Sequence, residues 1–170
     1  MSAVKIEEQI HRLRLAVETF AASVLTLSEE SFLAKLNSWS PRDIVAHLIG
    51  WNRHVIKGSK QIQRRELPFY DLDPGENYSK VNAALVQHYD STDKQLLLEQ
   101  LQASALELKE FLKSLDEERW ARDFGVRNGG AEVTIRSTVD ELIDDYDHHR
   151  RQIEASAPGP FPTWPGPRNR

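Results

Sequence analysis

The 170-residue sequence contains no cysteine. That one absence removes a disulfide framework, thiolate zinc sites, iron–sulfur clusters and a cysteine nucleophile. Any metal must be held by imidazole, carboxylate or backbone, and any nucleophile must be an oxygen, a nitrogen or a bound water. A basic surplus is missing too: 22 Lys and Arg face 26 Asp and Glu, a formal net charge of -4. Nucleic-acid binders usually carry a basic excess or stripe, so no nucleic-acid partner is expected. No apolar run approaches the ~20 residues that span a bilayer. The opening Met-Ser-Ala-Val-Lys-Ile-Glu-Glu places acids where a signal peptide has its apolar stretch. The expectation is a cytoplasmic protein with no membrane partner. A hydrophobic content of 39% with 28% charged residues fits a folded chain, and the length suits one domain.

What is present is helical periodicity. From about Val4 to Leu27 the apolar residues Ile6, Ile10, Leu13, Val17, Phe20, Val24 and Leu27 recur at spacings of three and four, one stripe of an amphipathic helix. Leu27 to Phe32 reads as a turn into a short helical piece. A second helix starts at a strong signal: Ser40 caps, Pro41 suits the first helical position and Asp43 complements the positive dipole end. Its apolar face runs through Ile44, Leu48, Trp51 and Val55 toward about Arg65. Leu67 to Asn77 is a loop too long for a tight bundle turn. Helical pattern resumes from Tyr78 to Tyr89, breaks at Asp90–Asp93 and continues from Lys94 to Leu115. Asp123–Val133, with Asn128-Gly129-Gly130, reads as a loop rather than a hairpin. Thr134 caps a last helix carrying Ile135, Val139, Leu142, Tyr146, His149 and Ile153. From Ala157 the chain is rich in proline and glycine, an extended or disordered tail. The pattern predicts an all-α four-helix bundle with long crossover loops over residues 1–156, followed by a tail over 157–170.

Three polar residues could converge, although the acidic cluster Asp140-Glu141, Asp144-Asp145 and Asp147 is most simply a solvated face. His47 lies between Ile44 and Trp51 on the second helix. His149 shares the last helix's seam with Tyr146 and Ile153, and Asp145 lies one turn before it. Residues at i and i+4 are neighbours on a helix, so Asp145 and His149 could grip one ion, with His47 supplying a third ligand from a facing helix. Two imidazoles and a carboxylate leave coordination positions open, and such a site activates water or polarises a substrate oxygen. Blander readings stand beside this one. A D-x-x-x-H spacing is usually a surface ion pair, Asp144 with His148 offers the same spacing off the seam, and a lone inward histidine more often bonds a backbone carbonyl. His54, two turns after His47, is a candidate pocket base or simply a partly exposed histidine. Trp51 and Tyr146 are candidate walls of a substrate pocket or ordinary core. No serine nucleophile elbow and no H-E-x-x-H occurs in the sequence.

The stretch Trp39-Ser-Pro-Arg-Asp-Ile-Val-Ala-His47-Leu-Ile-Gly-Trp51 resembles the second-helix motif of the DinB/YfiT-like superfamily. Asp145-Tyr-Asp-His-His149-Arg-Arg-Gln-Ile153 is similar to its last-helix motif, H-x-x-H-H-R-x-Q-I/L. The resemblance covers roughly residues 4 to 156, and Asn77–Tyr89 also looks similar to the ClbS/DfsB branch. It implies a four-helix bundle with a long crossover and a divalent metal, commonly zinc or nickel, held by three histidines. His47 and His149 match two of those ligands, and the middle one falls on Asp145, where the thiol-dependent isomerase branch places glutamate. The activities implied are thiol-dependent transfer or isomerisation with a small thiol as co-substrate, or hydrolysis of reactive toxins, with homodimers common. The expected function is a metal-dependent enzyme acting on a small electrophilic molecule by hydrolysis or thiol S-transfer. The alternative is a non-catalytic bundle that binds or sequesters a small molecule. A third reading is an association module anchored by Trp164.

Overall fold

Chemically marked helix starts recur through the computed structural model, which describes residues 2–156. The tail, with Trp164, lies outside the described residues. Helix α1 (Ser2–Leu25) buries Leu13, Val17, Phe20 and Val24 along the stripe expected of it. Ser28 caps the short α2 (Glu29–Leu33), which buries Phe32. Helix α3 (Pro41–Gln63) begins in a capping box: the Ser40 hydroxyl accepts from the Asp43 amide while the Asp43 carboxylate accepts from the Ser40 amide. Each such cap satisfies an amide the helix itself leaves unpaired and contributes about 1 kcal/mol. Helix α4 (Ser79–His88) follows the long loop, and α5 (Lys94–Lys113) starts at an Asp93 cap. The break expected at Asp90–Asp93 is therefore a cap. Asp116 caps a five-residue α6 (Glu117–Ala121) that buries Trp120, an element with too few residues to show a period. Thr134 and Ser137 form the capping box of α7 (Ile135–Ala155).

Asn128-Gly129-Gly130 departs from expectation. The structure makes a small hairpin there, β1 (Arg127–Asn128) paired antiparallel with β2 (Ala131–Glu132). Gly129 and Gly130 sit at φ 58° and 84°, and two successive positive φ values are the signature of the turn whose twist suits a two-residue hairpin connection.

Helices α1, α3, α5 and α7 form the bundle. α1 packs beside α5 and α7, and α3 packs beside the same two, so α1 and α3 face each other across a diagonal. The connection from α1 to α3 and that from α5 to α7 each cross a diagonal and carry short elements, while the longest connection, which carries α4, joins the neighbours α3 and α5. The core between them holds Phe20, Leu48, Trp51, Leu101 and Tyr146, all fully buried. Each such side chain contributes roughly 1.5–3 kcal/mol of transfer free energy.

Two contacts set the position of α4. Gly50 on α3 lies under Leu85 of α4 so closely that a Cβ there would stand 2.3 Å from a Leu85 methyl. Arg42, buried at the start of α3, donates to the Ser91 carbonyl at 2.8 Å, to the Val86 carbonyl at 3.2 Å and to the Tyr89 carbonyl. Those carbonyls are among the orphan acceptors at the C-terminal end of α4 and just beyond it. The loop before α4 packs aromatic residues onto α3: Tyr70 and Tyr78 each meet the Trp51 ring edge-on, at 4.8 and 5.6 Å between centroids. No described helix is long and apolar enough to cross a membrane.

Candidate metal centre

His47 comes from α3, and Asp145 and His149 come from successive turns of α7. Because α3 and α7 are bundle neighbours, the three side chains meet in the interior, 1%, 2% and 3% exposed. One ligand atom from each lies within 4.8 Å of the other two. The Asp145 carboxylate is the hinge: one oxygen is 2.7 Å from His47 Nε2 and the other 3.5 Å from His149 Nε2. Of the two pairs with the same spacing, Asp144 is exposed and His148 half-buried, so the inward seam selects Asp145 and His149. A surface ion pair is thereby ruled out for this aspartate and histidine.

The outer nitrogens of both rings are engaged. His47 Nδ1 is 3.0 Å from the Asn82 side-chain oxygen, and His149 Nδ1 is 2.9 Å from that of Gln152. The Trp51 indole donates to the same Asn82 oxygen at 2.8 Å. Above the rings lies Trp39, from the connection between α2 and α3, with its indole 5.0 Å from the His47 ring and 6.2 Å from that of His149. Burial pushes His149 down to about 4, with the adjacent Asp145 charge opposing that shift. His149 is therefore neutral at pH 7 and keeps a lone pair to offer.

The other candidate residues occupy distinct surroundings. Trp51 is fully buried between His47 and the loop aromatics. Tyr146 is also fully buried, and its hydroxyl donates to Asn52 Oδ1 at 2.8 Å. Asn52 in turn donates to Ser104 at 2.9 Å, a polar chain that ties α7, α3 and α5 together. Burial raises the Tyr146 hydroxyl well above the usual phenol range. His54 sits apart from the three-residue cluster, half-buried and edge-on to Phe69 at 4.8 Å and to Trp51 at 5.6 Å. Burial, reinforced by the nearby Lys57 charge, lowers it to about 4.

Trp39, Asn82, Gln152 and Arg42 were not singled out as functional by sequence reasoning. Gln152 had a legible signal, because it lies three residues after His149 on the same helix face. Asn82 shares a face with Leu85 at the same spacing, and an amide on an apolar face asks for a buried partner. Nothing local in the sequence marks Trp39 as a cover, because His149, the second ring it meets, comes from the far end of the chain and only the closed bundle brings it beside His47.

A family model of the DinB superfamily matches residues 6–153. No curated protein matches the chain. Among solved structures, the chain resembles a mycothiol-dependent maleylpyruvate isomerase with a TM-score of 0.71 and 15% identity, over 89% of this chain and 62% of that one. The chain thus spans about three fifths of the isomerase's length. It resembles the colibactin self-resistance protein ClbS, solved with a double-stranded DNA, with a TM-score of 0.71 and 14% identity over 88% and 93% of the two chains. A Streptococcus pneumoniae protein gives a TM-score of 0.67 and 15% identity over 88% of each chain. Identities this low establish the shared fold. The composition-based exclusion of nucleic acid gains no support from a neighbour that was solved on DNA.

Proposed function

This chain belongs to the DinB superfamily, and we propose that it is a metal-dependent enzyme acting on a small electrophilic molecule, with His47, Asp145 and His149 as the metal ligands. The observation that carries this reading is the convergence of two imidazoles and one carboxylate from two helices at a buried point. The donor set suits zinc or nickel and leaves coordination positions for a substrate. Both imidazoles have their second nitrogen held by an amide oxygen, as metal-ligating histidines commonly do. When bound, such an ion makes a coordinated water or thiol more acidic and polarises a substrate oxygen.

The remaining work falls to the chain. Trp39 covers the imidazoles and keeps bulk water from them. His54, depressed to about 4, is neutral at pH 7 and is the candidate proton acceptor for an entering water or thiol. Trp51 and Tyr146 back the pocket, Trp51 beside the His47 ring and Tyr146 next to Asp145. With no cysteine in the sequence, thiol chemistry must use a small thiol that arrives as co-substrate. A homodimer in the cytoplasm belongs to the same proposal.

Metal analysis of protein purified without a nickel column tests it. One equivalent of a divalent metal in the unaltered protein and little in His149→Ala is expected, and equal metal in both, or none in either, sinks the reading. One observation favours the binding-protein alternative: an Asp145 oxygen lies 2.7 Å from His47 Nε2, so a proton held between them closes the cluster without a metal ion. Multiple turnovers of a reactive electrophile, with or without an added small thiol, exclude that alternative.

A further inference from the structure

A polar side chain outside the three-residue cluster decides which nitrogen of His47 is available. An indole nitrogen only donates, so the Asn82 atom 2.8 Å from Trp51 Nε1 is the amide oxygen. An amide oxygen only accepts, so His47 Nδ1, 3.0 Å from that same oxygen, must carry a hydrogen. The proton of a neutral His47 is therefore placed at Nδ1, and Nε2 is left as the bare nitrogen facing Asp145 at 2.7 Å. A bare nitrogen and a carboxylate oxygen so close are two acceptors, and only a proton or a cation between them makes that contact favourable. Without the Asn82 oxygen, the simplest arrangement reverses: Nε2–H donates to Asp145, and the lone pair turns away from the cluster.

We propose that Asn82 is a positioning residue for His47: its oxygen, oriented by the Trp51 indole, keeps the Nδ1 hydrogen in place and reserves Nε2 for a cation at Asp145. The assignment of the hydrogen stands on geometry alone, while its use for a cation rests on the metal-centre reading above. Asn82 itself is held from outside the site. Arg42 binds the carbonyls at the end of α4, and Gly50 lets Leu85, one turn from Asn82, seat on α3. Gln152 makes the corresponding contact to His149 Nδ1 at 2.9 Å.

The test uses the full chain with nitrogen-15-labelled histidine, the His47 signals being identified by their loss in His47→Ala. In metal-free unaltered protein Nδ1 is expected to be protonated, and to remain so when zinc is added. Asn82→Asp keeps an acceptor and is expected to keep that signature. Asn82→Leu removes it, and the neutral ring is expected to move its hydrogen to Nε2 and to bind zinc about 10–100-fold more weakly. An Nε2–H, Nδ1-bare ring in the unaltered metal-free protein overturns the proposal. So does an Asn82→Leu variant with unchanged nitrogen shifts. Should Asn82→Leu fail to fold, the unaltered protein and Asn82→Asp decide the matter by the same Nδ1 criterion. A protonated Nδ1 in a protein that takes up no zinc overturns the metal-centre reading and leaves the hydrogen assignment intact.

Discussion

The seating of α4 on α3 can be measured through one contact. Changing Gly50 to alanine places a Cβ 2.3 and 2.7 Å from the two Leu85 methyls and 2.8 Å from its Cγ. Since the branch carbon as well as both methyls is too near, rotation about χ2 alone cannot clear the space, and either Leu85 changes its χ1 rotamer or α4 lifts. Overpacking of this kind costs about 1–3 kcal/mol. Replacing glycine by alanine within a helix returns about 1 kcal/mol of propensity. The net loss is therefore small, about 0–2 kcal/mol, and the single variant is a weak test. The pair is a strong one. Leu85→Ala alone empties a buried site and costs about 2–5 kcal/mol. In the double variant the alanine methyl at position 50 occupies space that Leu85 vacated, so the clash vanishes and part of the cavity fills. Urea unfolding of the four proteins should give a double-variant loss smaller than the sum of the singles by about 1–3 kcal/mol. Additivity to within ~0.5 kcal/mol would refute the claim that these two residues set the distance between α3 and α4.

Two further outcomes follow from the same geometry. Arg42→Met keeps much of the buried stem but removes the donors to the half-buried Ser91 and Val86 carbonyls; it should lose about 1.5–3 kcal/mol in urea unfolding, and a loss under ~0.5 kcal/mol would remove Arg42 from its capping role. His54 and His149 are both held near 4 in the folded chain, below the 6.5 of a free imidazole, so between those values the unfolded chain binds more protons. Metal-free protein should keep its full stability above pH 6.5 and lose it progressively as pH falls toward 4, with a shallower decline in His54→Gln; a urea midpoint that stays flat or rises on acidification would contradict the burial of these rings.

Legibility varied with the range of the interaction. The capping boxes at Ser40 and Thr134 and the stripes of α1, α3 and α7 depend on residues within a turn or two of one another, and local spacing reads them directly. The seam logic that preferred His149 to His148 works for the same reason. The hairpin at Asn128–Ala131 is illegible in the sequence despite its Gly-Gly pair, because two-residue strands carry no alternation to confirm the turn. α6 escaped notice because five residues cannot display a helical period.

The sequence by itself determined which faces turn inward, where the long helices start, and which chemistry is closed to a chain without cysteine. It placed an imidazole, His47, on the inward face of α3 and another, His149, on the seam of α7, with Asp145 one turn before it; that Asp145 also turns inward was decided by the structure. Tertiary structure decided that those seams face each other, because the pairing of α3 with α7 rather than with α1 depends on how whole helix faces fit. It also decided the surroundings: Trp39 laid over both rings, and Asn82 carried to His47 by a helix that Gly50 and Arg42 hold in place. Apart from Trp39 on His47, these contacts join residues dozens of positions apart, and their energies exist only once the bundle has closed and excluded water from them.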